Sequence, residues 1–470
     1  MVFSSAIFLF LFLPVTFLAY QVMPGLKAKN GLLILASLIF YSFGQPRYLL
    51  LLLASVVINY TAGRLLQTDR GPRKGILTVA IIANVGILAV FKYLDFVLGN
   101  LNVFLDASLP LPGIILPIGI SFYTFQGMSY IIDVYRDPGM GTKNFGKLLL
   151  YISFFPQLVA GPIIKYHDIS AMIDRRQTTA EDTAAGIRRF IVGLSKKLLI
   201  ANTVGAIADS VFNVPTGSLD MRLAWLGAVC YTLQIYFDFS GYSDMAIGMG
   251  RIFGFKYLEN FEHPYISSTI REFWRRWHIS LTSWFRDYVY IPLGGNRRGK
   301  KRTEFNKAVV FLVTGIWHGA NWTFLAWGLW HGDFMILEDI GIIPRKKLEH
   351  RAIGHVYVML VVVLGFTMFR AADIHQGLGM IACMFTGFHF TPEGTLQILQ
   401  LLGRWELFIL AAAVVFSADI PAKVRQWLAK HPQAMPRAEL LSDIGAVLLL
   451  VLDILNLSQT GFNPFIYFQF

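Results

Sequence analysis

From end to end the chain is a succession of apolar runs. After Met1–Tyr20 they fall near 31–62, 76–99, 114–132, 147–164, 190–212, 223–237, 243–255, 308–337, 354–369, 377–391, 398–417 and 442–457. A straight membrane-spanning helix needs about 20 apolar residues, and several runs reach that length. Others are shorter or are broken by glycine and proline, as at Gly44-Gln45-Pro46, Pro156 and Gly161-Pro162. Broken backbone at membrane depth is tolerated only where protein or a watery cavity satisfies the freed polar groups. The pattern therefore predicts an all-α polytopic membrane protein: about ten to twelve spanning helices, with half-membrane and interfacial ones around an internal cavity.

Composition agrees with that reading. Hydrophobic residues make up 55% of the 470 positions and charged residues 15%, against roughly 25% charge in a soluble domain. A soluble fold of this length cannot hide so much apolar surface, which excludes a secreted enzyme, a disordered chain and a conventional nucleic-acid binder. The net charge of +12 reads as cytoplasmic-loop bias and attraction to anionic lipid headgroups or an anionic substrate. No basic residue precedes the first apolar run and no small-residue cleavage site follows it, so it reads as a retained helix. Cys230 and Cys383 lie inside apolar stretches, which argues against a disulfide framework or a cysteine-rich metal site.

Basic loops orient the chain. Arg64–Lys74, Arg297–Lys307, Arg345–Arg351 and Lys423–Arg437 are each expected on the cytoplasmic side. Segment 308–343 then has basic loops at both ends and at best one long apolar run between them, so either one of those loops is external or the segment is a hairpin of two short helices; the hairpin is favoured, bent at Gly319-Ala320-Asn321. No linker, low-complexity tract or long repeat is visible, and residues 1–470 read as one domain. Charge is dense over 256–306, where no span fits; that segment is expected along the cytoplasmic face.

An ionisable residue inside an apolar segment is by default a functional hypothesis. His318, in Gly315-Ile316-Trp317-His318-Gly319-Ala320-Asn321-Trp322, is the sharpest case. If one helix runs through both, Asn321 shares a face with His318 and is a candidate to orient the imidazole. The competing reading is a buried histidine acting as packing glue between helices. His331 stands thirteen residues on; in one unbroken helix it falls about 220° around and roughly 20 Å along, so it is expected to be structural or at a cavity mouth.

A second cluster is Arg271-Glu272-Phe273-Trp274-Arg275-Arg276-Trp277-His278-Ile279-Ser280-Leu281-Thr282. As a single helix it places Trp274, His278 and Thr282 on one stripe. Arginine forks suit phosphates, and tryptophan faces suit an adenine ring or an acyl chain. An interfacial amphipathic helix anchored by Trp and Arg accounts for the same residues equally well. In a third cluster, Tyr236 to Asp244, Asp238 and Asp244 interrupt an apolar run and need cationic or hydrogen-bonding partners. Pairing with the arginines of 271–286 is expected, with Asp238 supporting a site more than acting in it.

There is no His-Glu-x-x-His, Walker loop or dinucleotide glycine signature, and His278 and His318 fit no metal-ligand spacing. A buried base that needs no metal, beside an Arg and Trp surface, fits transfer of an already activated group, such as a thioester, to a hydroxyl.

These residues resemble the membrane-bound O-acyltransferase family over nearly the whole chain. The resemblance is carried by Met1–Ser5, Pro117–Phe122, Phe155–Pro162, Tyr236–Asp244, Glu272–Tyr290, Gly315–Asn321 and Pro464–Phe470. It implies that His318 matches the family's essential membrane histidine and His278 its second, upstream polar position. It also implies a thin-centred helical ring around a tunnel, with the acyl donor entering from the cytoplasm. Relatives acylate alginate, cellulose, peptidoglycan or teichoic acids, usually with an extracytoplasmic partner protein. The short stretch at 421–439, where some relatives carry a longer insertion, leaves the acceptor less determined than the chemistry.

The expectation is thus an O-acetyltransferase of the bacterial inner membrane. Acetyl-CoA is the donor, Arg275, Arg276 and Arg286 hold its phosphates, Trp274 and Trp277 line the way in, and His318 is the general base. Asn321 or Asp238 is the candidate to fix its tautomer. The competing class is a polysaccharide channel or proton-coupled transporter in which the histidine is a relay. A scaffold whose partner holds the chemistry is a third reading.

Overall fold

The computed structural model describes residues 1–68, 71–459 and 465–466, and every regular element among them is helical. Asp69 and Arg70 of the first basic loop lie outside the described residues, as does most of the closing motif at 464–470. Among the described residues five helices are long and apolar enough to cross a bilayer: Pro46–Leu66, Arg73–Leu105, Ala180–Phe212, Ala352–Arg370 and Pro432–Ser458. The pair Pro392–Leu401 and Arg404–Ser417, bent by 74°, makes a sixth if taken as one span. That is fewer than the ten to twelve read from the apolar runs. One helix outside that count is Met221–Ile252, which has 32 residues, ample length, but interrupts its apolar run with Asp238, Ser240, Ser243 and Asp244. Residues facing protein instead of lipid need not be apolar.

The chain folds as two compact units, Met1–Phe190 with Tyr242–Glu259, and Ile191–Gly241 with Asn260–Phe470. The divisions at 190 and 241 fall inside helices Ala180–Ser195 and Met221–Ile252, so no linker composition marks them.

In the first unit, helices Leu49–Leu66, Arg73–Leu105 and Ile120–Arg136 pack on one another. Small and amide side chains make this possible. Asn59 and Asn84 exchange hydrogen bonds of 3.0 and 3.1 Å in a fully buried setting, the polar cross-link that apolar surroundings favour. Further on, the break at Pro156 ends helix Phe145–Ser153, and the freed backbone finds partners inside the protein. Ser37 Oγ accepts from Phe155 N at 3.1 Å, and the Tyr151 hydroxyl donates to Ile164 O at 2.7 Å. Asp244 is paired with Arg189 at 2.9 Å, so for this carboxylate the expected partner in 271–286 is replaced by one on helix Ala180–Ser195.

In the second unit, helices Lys300–His318 and Trp322–Ile340 form the expected hairpin, turned at residues 319–321. Its tightness rests on glycine. A Cβ on Gly315 would lie 2.6 Å from Phe324 O, and one on Gly328 would lie 2.6 Å from Phe311 O. Helix Ala352–Arg370 packs along the second arm.

The segment before the hairpin departs from expectation. Residues 270–285 do not form one helix. They form Ile270–Arg276 and Ile279–Phe285, separated by extended Trp277 and by His278 in the left-handed region, φ 43°. Trp274, His278 and Thr282 therefore share no helical stripe.

Candidate active site

The kink at His278 is built from backbone. Thr269 caps the first short helix by accepting from Glu272 N at 3.1 Å. Burial works to raise the pKa of Glu272, but the Ser268 N–H and the Arg276 guanidinium overcome it and hold the carboxyl below its ordinary range. After the kink, Ile279 N donates to Asn260 O at 2.9 Å, which fastens the second short helix to residue 260.

Asn260 also fixes the imidazole. Its Oδ1 accepts from Ser280 N at 3.1 Å and from Ser280 Oγ at 2.8 Å, so it is the carbonyl oxygen. His278 Nδ1 lies 3.2 Å from that oxygen and must carry the proton to bond with it. In the neutral ring Nε2 then holds the lone pair, and it has no hydrogen-bond partner among the described residues. His278 is 1% exposed.

His318 ends the first arm of the hairpin and is buried too. Its ring meets Trp317, Trp327 and Phe369 at centroid distances of 5.1, 4.9 and 5.2 Å. His278 and His318 line one small chamber with Trp277, Trp327, Phe366 and Phe369, closed further by Ile235, Phe239 and Ile466. Its volume is about 10 Å³, room for roughly one water molecule. Among the described residues that line it, two imidazoles and the indoles are the only polar side chains, so the chamber holds two possible proton acceptors in an apolar setting.

Asn321 does not orient His318. The helix stops at His318, and Asn321 caps the next one, accepting from Thr323 N at 3.1 Å and donating to Ala372 O at 2.8 Å. The turn that makes the hairpin removes the shared face assumed for one continuous helix. His331 stands on the second arm, one helical turn after Trp327 with ring centroids 5.3 Å apart, and it lines neither the small chamber nor the larger cavity.

Asp238 finds Lys197, not an arginine of 271–286. Nζ and Oδ1 are 2.5 Å apart, with side-chain exposures of 3% and 2%. The other carboxylate oxygen accepts from Ile466 N at 2.8 Å. Ile466 lines the chamber, so Asp238 shapes the site through a neighbour and is not itself part of its lining.

A second, larger cavity of about 460 Å³ adjoins the same segment, within the range of roughly 300–1,000 Å³ usual for ligand pockets. Arg271, Arg275, Arg286 and Lys307 line it together with Trp274, Phe285, Tyr290 and Phe311, and among the described residues no carboxylate does. The donor candidates thus separate. Arg275, Arg286 and Trp274 face this cavity, while Trp277 lines the histidine chamber. Arg276 lines neither; it is held by Glu272 at 2.9 Å and by Glu262 O at 3.0 Å. A hydrogen bond from Arg286 to Asp287 raises the guanidinium's pKa. Sequence reasoning missed Arg271 and Lys307, which Asp339 draws together from two elements. It also missed Asn260, because no local pattern links positions 18 residues apart. Among the described residues no group of three or more His, Cys, Asp and Glu side chains is placed to hold a metal ion.

Comparison with known proteins decides what this arrangement belongs to. The sequence profile of the membrane-bound O-acyltransferase family matches residues 136–369, which include both histidines and both cavity-lining helix pairs. "Probable alginate O-acetylase AlgI" of Azotobacter vinelandii is 38% identical over 507 residues, covering all of both chains. The chain belongs to the membrane-bound O-acyltransferase family.

Two other relatives bound the chemistry of this O-acyltransferase. The peptidoglycan O-acetyltransferase of Helicobacter pylori is 39% identical over 359 residues, 69% of this chain and 68% of that one. The teichoic acid D-alanyltransferase of Bacillus subtilis is 33% identical over 215 residues, 43% and 53% of the two chains. The O-acyltransferase is a multi-pass membrane enzyme, and these relatives are named for acylation of cell-envelope polymers.

Proposed function

We propose that the enzyme moves an acetyl group from acetyl-CoA to a hydroxyl of an extracytoplasmic polysaccharide, alginate in the first place. The observation that carries this reading is the pair of cavities on segment 270–290. One is lined by four cations and aromatic rings, suited to the phosphates and base of a nucleotide thioester. The other is small, mostly apolar and holds two buried imidazoles.

In the proposed reaction the acceptor hydroxyl enters the chamber beside His318, which takes its proton as the oxygen attacks the thioester carbonyl. The C–S bond breaks, and the proton passes to the departing thiolate to leave free coenzyme A. General-base help of this kind supplies about 10²–10⁴-fold, and holding both reactants in line supplies more. The fixed lone pair on His278 Nε2 makes it the second acceptor in the chamber, placed to hold the hydroxyl or to return the proton. Exclusion of water protects the thioester from hydrolysis.

The relatives' names favour alginate over peptidoglycan or teichoic acid, because the alginate relatives match along the whole chain. The enzyme would sit in the inner membrane, with an extracytoplasmic partner protein presenting the polymer. The test is acetyl transfer from labelled acetyl-CoA by purified protein, with donor binding measured separately. His318→Ala should abolish transfer while donor binding persists. A folded variant with normal transfer removes His318 from the mechanism. Failure of the wild type to release free coenzyme A in step with acetylated product removes the reading as a whole.

A further inference from the structure

Helix Trp322–Ile340 ends in two adjoining carboxylates that turn back toward the segment lining the cationic cavity. Glu338 is 3% exposed and the side chain of Asp339 7%. Glu338 takes backbone. Its Oε1 accepts from Ile270 N at 2.6 Å and its Oε2 from Arg271 N at 3.2 Å. These N–H groups open the short helix Ile270–Arg276, where no intrahelical carbonyl reaches them. Asp339 takes side chains. One oxygen pairs with Arg271 and the other with Lys307, and Arg345 Nη1 stands 3.3 Å from the first.

Neither carboxylate is among the residues that line the cavity, but what they join is its wall. Arg271, Trp274 and Arg275 belong to the short helix, and Lys307 to the first arm of the hairpin. The side chain of Arg271 is 50% exposed. Left alone, a half-exposed arginine samples many rotamers, and ordering it falls to whatever ligand it binds. The pair with Asp339 does that ordering in advance. A guanidinium has five N–H donors and an ammonium three, so each cation can hold Asp339 and still offer donors to an anion in the cavity.

We propose that Glu338 and Asp339 are positioning residues for the acyl donor. Glu338 fixes where the short helix starts, and with it the direction in which Trp274 and Arg275 face. Asp339 holds Arg271 and Lys307, from two different elements, at one rim. The phosphate-binding wall is thereby assembled before the donor arrives, by two residues that do not touch it. This rests on the reading that the donor is acetyl-CoA and that its phosphates occupy the cationic cavity.

The experiment is steady-state kinetics of the full chain in lipid vesicles with two donors: acetyl-CoA, and S-acetylpantetheine, which keeps the thioester arm and lacks the nucleotide. Asp339→Asn removes the charge that holds the two cations. It should raise the KM for acetyl-CoA about tenfold, the worth of one charge-assisted hydrogen bond at its lower end, with kcat within about twofold. Glu338→Gln leaves one carbonyl oxygen for two N–H groups and should raise the same KM by about threefold. For S-acetylpantetheine, kcat/KM of both variants should stay at the wild-type value. A merely structural role would not distinguish the donors, so an equal loss with both overturns the proposal. A folded Asp339→Asn with wild-type KM for acetyl-CoA overturns it too. So does a lowered KM, which would make Asp339 a competitor of the phosphates. If Asp339→Asn does not fold, Glu338→Gln decides alone by the same comparison. A wild-type enzyme with one KM for both donors overturns the phosphate reading of the cavity itself, which is a different failure.

Discussion

His278 Nδ1 lies 3.2 Å from Asn260 Oδ1, and that one contact sets which nitrogen of the ring is a base. Deleting the amide leaves the imidazole free to turn and to change tautomer. Asn260→Ala should lower kcat by about 10²-fold, the lower end of what acid–base catalysis supplies, with the donor KM unchanged. Transfer kinetics on the folded variant checks it.

The Lys197–Asp238 pair invites a double-variant cycle. Both side chains are out of water, and removing one partner strands a charge. Lys197→Met should cost about 3–5 kcal/mol of stability, and Lys197→Met with Asp238→Asn together clearly less. Thermal unfolding of the purified protein in detergent measures both. A double-variant loss equal to the sum of the two single-variant losses would mean the pair is not electrostatically coupled.

Arginines 275 and 286 face the large cavity while Arg276 is tied to Glu272 and Glu262. Arg275→Gln or Arg286→Gln should raise the acetyl-CoA KM by about 10- to 100-fold, the loss of a charge-assisted hydrogen bond. Arg276→Gln should change stability and leave KM alone.

The hairpin should not tolerate added carbon. Gly315→Ala and Gly328→Ala each push a methyl against backbone carbonyl oxygen at 2.6 Å. Each should destabilise by about 1–3 kcal/mol, read as a lower Tm.

Acid should act partly through Glu272. Its carboxyl titrates below the ordinary value in the folded state, so its contribution is complete above that value and is lost as pH falls through the depressed one. Wild type should therefore lose more stability between neutral pH and pH values near 4 than Glu272→Gln does. Parallel pH–Tm curves would exclude the contribution.

The membrane class and the hairpin over 308–343 were legible without coordinates. Hydropathy and the cost of charge in lipid are properties of composition and order, so they survive in a linear reading. Helix continuity was not legible in the same way. One helix through 271–282 satisfied local periodicity and failed, and the face shared by His318 and Asn321 held only for a helix that the bend at 319–321 interrupts. Left-handed backbone at His278 and the cap at Asn321 depend on partners distant in sequence, Asn260 and Ala372.

Charge partners were assigned least well. Asp238 was expected to meet arginine and meets Lys197, because proximity along the chain carries no information about which helices adjoin. Order and composition determined a helical membrane protein with costly buried histidines, since burying polar groups is penalised wherever they end up. Only the tertiary structure decided which imidazole is oriented, which arginines face a cavity and which carboxylates each one meets, since hydrogen bonds act over about 3 Å and depend on packing.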